Sequence, residues 1–162
     1  MKKVLILITI TIINLSTAQT NPVQDNYTKK EVYIPMRDGT KLFTIIYTPK
    51  DISKGKKYPF IMNRTCYSIA PYGENNFRKK LNPNKFIEKE KYIFVFQDVR
   101  GRYMSEGIFT NMTPQVDHKT KKDVDESTDT YDTVDWLVKN VQNNNGKVGQ
   151  YGTSLSLIHI SE

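Results

Sequence analysis

Short hydrophobic runs separated by polar turns predict β-structure from about residue 31 onwards. Residues 32–36 and 42–47 are two β-rich runs, and Arg37-Asp38-Gly39-Thr40 stands between them. Since Asp-Gly supplies the positive φ that a tight hairpin turn requires, the two runs are predicted to form an antiparallel hairpin. The polar segment 19–30 lacks a hydrophobic period, so we expect an extended lead-in there, with regular structure beginning near Glu31.

The rest of the chain predicts a parallel sheet covered by a helix. Residues 58–63 form a strand-like run, and the continuously apolar run 92–96 is typical of a central parallel strand buried on both faces. Residues 126–142 are predicted to form an amphipathic helix, because apolar residues recur at steps of three and four: Tyr131, Val134, Leu137, Val138 and Val141. A short strand at 147–151 follows. A hairpin followed by strand, helix and strand predicts an α/β fold with an antiparallel N-terminal edge.

Composition bounds the size and the chemistry of the protein. The chain has 162 residues, a formal net charge of +7 and one cysteine, which fits a single globular domain and excludes a disulfide within the chain. Basic residues dominate 50–91 and acids dominate 117–135. Because no basic stripe is interleaved with aromatic residues, no nucleic-acid partner is predicted. Zinc-ligand spacings and the dinucleotide-binding glycine pattern do not occur, so no metal and no cofactor is expected.

The first eighteen residues are typical of a secretory signal peptide. A cationic start, Met1-Lys2-Lys3, precedes the apolar run 4–13 and the small residues Ser16-Thr17-Ala18. The apolar run is far shorter than the roughly 20 residues that a membrane-spanning helix needs. We therefore expect cleavage after Ala18, a secreted or periplasmic protein, and no stable membrane anchor after cleavage.

Gly152-Thr153-Ser154 is the candidate site of chemistry. The tripeptide comes directly after the predicted strand 147–151, and a serine at a sharp turn after a buried strand is typical of a nucleophile elbow. The glycine two positions before the serine is required because the strained turn brings backbone atoms close together. A G-x-S tripeptide is common in loops, so on this motif alone a simple loop serine is an equal alternative.

A family resemblance rests on four segments that follow one another along the chain. They are Tyr33-Ile34-Pro35-Met36-Arg37-Asp38-Gly39-Thr40-Lys41-Leu42, Asn63-Arg64-Thr65-Cys66-Tyr67, Gln97-Asp98-Val99-Arg100-Gly101-Arg102-Tyr103-Met104-Ser105-Glu106-Gly107 and Gly149-Gln150-Tyr151-Gly152-Thr153-Ser154. With these segments the chain resembles the X-Pro dipeptidyl-peptidase and cocaine-esterase-like (CocE/NonD) serine hydrolases, including the α-amino-acid ester hydrolases and glutaryl-cephalosporin acylases. The resemblance implies an α/β-hydrolase domain with a helical cap, followed by a jelly-roll domain.

The resemblance also implies a set of site residues. Ser154 matches the nucleophile, and Tyr67 matches the tyrosine whose hydroxyl joins the oxyanion hole, with the backbone N–H of Leu155 as the second donor. The alternative interpretation of Tyr67 is a half-buried loop aromatic. Cys66 stands where the family usually has proline, which removes a restraint on φ. A further pair, Asp98 with Arg100, is expected to be structural or to form a site wall, without a catalytic role.

The catalytic triad of this fold is not complete within the chain. Its Asp or Glu and its His follow the serine along the chain, but only eight residues follow Ser154. Neither His118, in a polar loop before the serine, nor His159, five residues after it, is expected to act as the base. Residues 155–162 look like foreign sequence, with Leu157 at a crowded place where the family has glycine.

These observations predict an N-terminal fragment. We expect residues 31–154 to be part of an α/β-hydrolase domain truncated at the nucleophile elbow, with a non-native tail at 155–162. Such a fragment should be inactive without its general base. It should also leave the apolar strand 92–96 without covering elements.

The sequence leaves two functions open. The first is a secreted serine hydrolase that cleaves ester or amide acyl bonds of small-molecule or peptide substrates through a Ser-Asp-His triad, whose Asp and His are missing here. The second is a secreted non-catalytic binding or structural module of α/β-hydrolase ancestry. A downstream Asp and His in the parent gene would favour the enzyme, and a genuine stop after Glu162 would favour the module. Acyl specificity and oligomeric state do not follow from the sequence.

Overall fold

The structure, a computed structural model, describes residues 21–51, 55–111, 113–115, 117, 120 and 122–157. The predicted signal peptide and both histidines, His118 and His159, lie outside the described residues. The elements are α1 (Pro22–Asn26), β1 (Tyr27–Pro35), β2 (Lys41–Pro49), β3 (Tyr58–Thr65), α2 (Lys85–Glu90), β4 (Ile93–Asp98), α3 (Glu126–Asn140), β5 (Asn144–Gln150) and a 3₁₀ turn (Ser154–Leu157).

The five strands form one mixed sheet in the order β1-β2-β4-β3-β5. β2 runs antiparallel to both β1 and β4, whereas β3 runs parallel to both β4 and β5. The predicted hairpin is confirmed, because Met36 donates its N–H to the Thr40 carbonyl at 2.8 Å and Gly39 has φ +87°. The α/β fold with an antiparallel N-terminal edge is also confirmed, although β4 is parallel to its neighbour on one side alone.

Regular structure begins earlier than residue 31, and the predicted extended lead-in is wrong for residues 22–26, which form α1. The Asn21 side chain caps α1 by accepting the Val23 N–H at 3.0 Å, and β1 then starts at Tyr27, opposite Pro49 of β2. Both Val23 and Tyr27 are buried. The segment looked polar because β1 is an edge strand, and an edge strand needs few apolar residues to hold its place.

Strand β4 is covered on both faces, and the expectation of an uncovered strand is wrong. All six of its residues are buried, which confirms the predicted central position. On one face Ile93 and Val95 pack in a cluster that includes Leu137 of α3. On the other, Phe94 and Phe96 pack in a cluster formed with the loop after β3: Ile69, Leu81 and the partly buried Tyr72 and Phe77.

The predicted helix is confirmed as α3, but its buried face is largely polar. Tyr131 is 67% exposed, although it belongs to the apolar series, and the buried residues are Thr128, Asp129, Thr130, Thr133 and Leu137. The reason is that the first half of α3 packs over polar side chains of the sheet. Arg64 donates to Thr130 Oγ1, and Gln97 donates from Nε2 to Thr133 Oγ1 at 3.0 Å. Periodicity detects apolar contacts and not this kind of polar packing.

The buried guanidinium of Arg64 is the centre of that polar packing. Its Nε donates to Gln97 Oε1 at 2.7 Å, and its Nη1 donates to the Glu126 carbonyl at 3.1 Å. Burial lowers the pKa of Arg64 to about 10, although the negative charges of Asp129 and Glu126 act to raise it. The hydrogen bonds therefore join β3 and β4 to the start of α3.

Candidate active site

The candidate nucleophile lies in a turn, residues 151–157, that directly follows β5; we call it the serine turn. The Tyr151 N–H donates to the Met62 carbonyl at 3.1 Å, and Asn63 Nδ2 donates to the Tyr151 carbonyl at 2.9 Å, so the turn starts from a fixed point on β3. Ser154 has φ +57° and opens the 3₁₀ turn. A serine in this left-handed conformation is strained by about 1–3 kcal/mol, and such strain is often found at functional sites.

Gly152 is required by a close approach of backbone to backbone. A Cβ at this position would lie 2.6 Å from the Ser156 carbonyl oxygen and 2.9 Å from the Leu157 nitrogen. This confirms the steric reason given for the glycine of the motif. The expectation that Leu157 crowds the turn is wrong, because the residue is 56% exposed.

The structure brings Tyr67 and Ser154 together. The Tyr67 hydroxyl donates to Ser154 Oγ at 3.3 Å, across 87 positions of sequence. The two residues meet because β3 and β5 are parallel neighbours, so the segments that follow their C-terminal ends share one edge of the sheet. Leu155 follows the serine in the 3₁₀ turn and is half-buried. Its N–H belongs to the first turn of this short helix, where amides have no partner inside the helix.

Thr65, at the end of β3, links the tyrosine to the serine turn. Its buried Oγ1 accepts the Tyr67 N–H at 3.1 Å and lies 2.6 Å from Ser156 Oγ. Thr65 is not predictable as a site residue from the sequence, because a strand-terminal threonine has no local signature of such a link. Its position two residues before Tyr67 was the available signal.

Asp98 and Arg100 do not pair with each other, so that expectation is wrong. Asp98 is buried and accepts hydrogen bonds from the Tyr72 hydroxyl at 3.0 Å and the Ile69 N–H at 3.2 Å. Burial raises its pKa above the ordinary value, and the Tyr72 hydroxyl bond opposes this.

Arg100 instead bridges two other carboxylates. It donates from Nη1 to Asp38 Oδ2 at 2.7 Å and from Nη2 to Asp129 Oδ1 at 2.7 Å. Burial acts to lower the pKa of Arg100, but the hydrogen bonds to Asp129 and Asp38 raise it. Arg100 therefore ties the hairpin turn to α3 and stands outside the serine site.

The rest of the D-V-R-G-R-Y-M-S-E-G segment fastens the loop after β4 to its surroundings. Ser105 Oγ accepts the Phe43 N–H at 2.8 Å and donates to the Asp98 carbonyl, and Glu106 accepts the Lys41 N–H at 3.0 Å. Arg102 reaches the tyrosine loop, where its Nε donates to the Cys66 carbonyl at 3.1 Å. Sequence reasoning missed Arg102 as an individual residue, although it lies in the most specific segment of the chain.

The described part of the chain holds a cavity at the start of α3, and Ser154 is not among the residues that line it. A cavity of about 150 Å³ is lined by Arg64, Arg100, Asp129 and neighbouring residues at the start of α3, away from Ser154. The described ranges hold no group of three or more His, Cys, Asp or Glu side chains placed to bind a metal ion. No helix within them has the length and apolar character needed to cross a membrane.

The fold and the serine turn together define a class of protein. A sheet in the order β1-β2-β4-β3-β5, with a strained serine on the turn after β5, is the arrangement of the α/β-hydrolase fold. Residues 38–156 match the family model described as X-Pro dipeptidyl-peptidase (S15 family). The chain belongs to this family, which confirms the resemblance found in the sequence.

Individual relatives are similar over most of the chain but are much longer. The cocaine esterase of Rhodococcus sp. (strain MB1 Bresler) is 30% identical over 135 residues, which are 82% of this chain and 20% of the esterase. The crystal structure of an aminopeptidase from a marine sediment Thaumarchaeota archaeon has TM-score 0.70 and 36% identity, covering 93% of this chain and 25% of that one. An α-amino acid ester hydrolase has TM-score 0.64 and 37% identity, covering 88% and 24%. The chain thus spans about a quarter of these relatives or less.

Proposed function

We propose that this chain is the N-terminal part of a secreted or periplasmic serine hydrolase that cleaves ester or peptide acyl bonds, with Ser154 as the nucleophile. The observation that carries the proposal is the strained Ser154 with the Tyr67 hydroxyl 3.3 Å from its Oγ. Family membership supports it, since the relatives include an esterase, an aminopeptidase and an amino acid ester hydrolase.

In the proposed reaction, Ser154 Oγ attacks the acyl carbonyl of the substrate. The carbonyl oxygen becomes negatively charged in the tetrahedral intermediate, and it accepts hydrogen bonds from the Tyr67 hydroxyl and the Leu155 N–H. Because these donors are fixed beforehand, they stabilise charge that develops only during the reaction. The intermediate then expels the alcohol or amine, which takes up the proton that the general base removed from Ser154. Water attacks the acyl-serine, releases the carboxylic acid and returns a proton to Ser154 Oγ.

The general base comes from outside the described residues. A serine hydroxyl is a weak nucleophile at neutral pH until a base removes its proton. We propose that a histidine and an aspartate downstream of residue 162 in the complete gene product supply this function, in the chain order of the fold. We propose that residues of that same downstream part shape the pocket for the acyl group.

Labelling with a fluorophosphonate probe tests the proposal in the complete gene product. The probe should attach to Ser154, found by mass spectrometry of the labelled peptide, and Ser154→Ala should abolish labelling and hydrolysis of small aryl esters. Tyr67→Phe should label more slowly, with a kcat on the order of 100-fold lower, because one of two oxyanion donors is lost. Labelling at another residue would show that Ser154 is not the nucleophile, and no labelling of the complete protein would favour the non-catalytic module.

Two further experiments test the cellular location of the complete gene product and whether residues 19–162 alone react with the probe. An extracellular or periplasmic location with an N-terminus at Gln19 would support the predicted signal peptide. The chain of residues 19–162 alone should not label. If that chain labels stoichiometrically, His118 or His159 acts as the base, and the downstream triad is wrong.

A further inference from the structure

An exposed side chain has to be held in place for the proposed reaction. Tyr67 is 51% exposed, yet its hydroxyl lies within hydrogen-bond distance of Ser154. Packing against neighbouring residues usually fixes the rotamer of a side chain, but about half of the Tyr67 surface is exposed to solvent. The direction of the side chain therefore depends mainly on the orientation of the backbone that carries it.

One peptide unit of that backbone is held at both of its polar atoms. The peptide between Cys66 and Tyr67 donates its N–H to Thr65 Oγ1 at 3.1 Å, and its carbonyl accepts from Arg102 Nε at 3.1 Å. A rotation of this peptide plane would break both hydrogen bonds. The plane in turn sets the direction in which the Tyr67 Cα–Cβ bond points.

Two aromatic rings lie beside the guanidinium of Arg102, which donates to this carbonyl. Its guanidinium lies 5.2 Å from the ring centre of Tyr103 and 5.0 Å from that of Phe109, distances at which aromatic rings attract a cation. Within the described part of the chain, no carboxylate lies at ion-pair distance from Arg102, whereas Arg37 and Arg100 both pair with aspartates. Its Nε is therefore free to donate a hydrogen bond to the Cys66 carbonyl, and the positive charge of the guanidinium strengthens this bond.

We propose that Arg102 is a positioning residue for Tyr67, acting through the Cys66–Tyr67 peptide. The inference rests on the proposed function in one respect, that the Tyr67 hydroxyl stabilises the oxyanion at Ser154. Arg102 does not touch the substrate. It holds the peptide plane, and the plane keeps the tyrosine hydroxyl over the serine.

Kinetics of the complete hydrolase on a small aryl ester test the proposal, with Arg102→Met as the main variant. The kcat should fall about 10-fold with KM changed less than about twofold, since an interaction used in the transition state is weakened. In a Tyr67→Phe background the same substitution should cause no further loss. In Arg102→Ala, which leaves the space of the arginine side chain empty, added ethylguanidine should restore part of the kcat, and Arg102→Lys should be intermediate.

The matched control is Arg37→Met. Arg37 donates from Nη2 to Asp132 Oδ1 at 2.9 Å and lies on the hairpin turn, so its loss removes a partly buried arginine without touching the tyrosine loop. It should lower the melting temperature and leave kcat unchanged. An equal kcat loss in both arginine variants would mean that Arg102 acts only through general stability and would overturn the proposal. A full additional loss in the Tyr67→Phe background would do the same.

Amide hydrogen exchange separates this proposal from the proposed function. In Arg102→Met the Tyr67 amide should exchange about 10-fold faster, and in Arg37→Met it should not, whatever the enzyme acts on. Unchanged exchange in Arg102→Met would overturn the positioning role. If Ser154→Ala and Tyr67→Phe leave hydrolysis intact, the proposed function is wrong, and the exchange result still decides whether Arg102 holds Tyr67.

Discussion

Replacing Gly101 by alanine should destabilise the loop that carries Arg102, because there is no room for a side chain at this position. Gly101 has φ +68°, and its Cβ would lie 2.1 Å from the Phe109 nitrogen and 2.5 Å from the Ile108 carbonyl carbon. These are backbone atoms, which cannot rotate away as the end of a side chain can. Residues 108–109 would have to move by about 1 Å to restore a normal contact.

Gly101→Ala should lose stability for two reasons, backbone strain and displacement of packed backbone atoms. The variant Gly146→Ala should show the backbone strain alone. A left-handed backbone costs alanine about 1–2 kcal/mol, and displacing packed backbone adds about 1–3 kcal/mol. The free energy of unfolding should therefore fall by about 2–5 kcal/mol. Gly146 has φ +75°, and among the described residues no atom beyond its own chain neighbours lies within 4 Å of its Cβ position. Gly146→Ala should cost about 1–2 kcal/mol, the strain alone.

Urea unfolding followed by tryptophan fluorescence compares the two variants. Trp136 is the one tryptophan of the chain, and it packs against the cluster that lies under α3. The wild-type chain and both variants should show one transition, with Gly101→Ala shifted to clearly lower urea than Gly146→Ala. If Gly101→Ala loses no more stability than Gly146→Ala, the close approach at Gly101 does not shape this loop and the reasoning is wrong.

Two further predictions concern buried carboxylates. Burial raises the pKa of Asp98, so stability linked to its protonated form is complete below its unfolded pKa of about 4 and is lost as pH rises through the raised value. The unfolding free energy of wild type minus that of Asp98→Asn should thus be larger near pH 4 than near pH 7, and a difference independent of pH would contradict the shift. Asp125 caps α3 by accepting the Thr128 N–H at 2.8 Å, so Asp125→Ala should cost about 1 kcal/mol in urea unfolding while Asp125→Ser keeps most of the stability; equal losses in both variants would show that the cap is not the source.

Local patterns in the sequence were sufficient where a residue's role depends on its near neighbours. The Asp-Gly turn predicted the hairpin, and the continuous apolar run predicted the buried strand β4, because turn geometry and burial on both faces leave direct signatures. Gly152 was predicted for the same reason, since the close approach it permits is to Ser156 and Leu157 in its own turn. The start of β1 was missed, because an edge strand shows little apolar pattern.

Polar contacts between distant segments were decided by the tertiary structure. The buried face of α3 is polar because Arg64 and Gln97 lie beneath it, and neither residue is near α3 in sequence. Arg100 pairs with Asp38 and Asp129 instead of its neighbour Asp98, since a guanidinium bonds the carboxylates that the fold brings to it. A sequence pattern reports which residues are apolar and at what spacing, and it does not report which polar partner will be near.

The candidate site combines both kinds of information. By itself the sequence determined that Tyr67 and Ser154 follow strands of a parallel sheet, and parallel strands place their C-terminal ends at one edge. The 3.3 Å between the two hydroxyl oxygens depends on the register in which Met62 of β3 faces Gln150 of β5. It depends also on the peptide held by Thr65 and Arg102. Register and peptide orientation arise only when segments distant in sequence pack together, so the tertiary structure alone decided them.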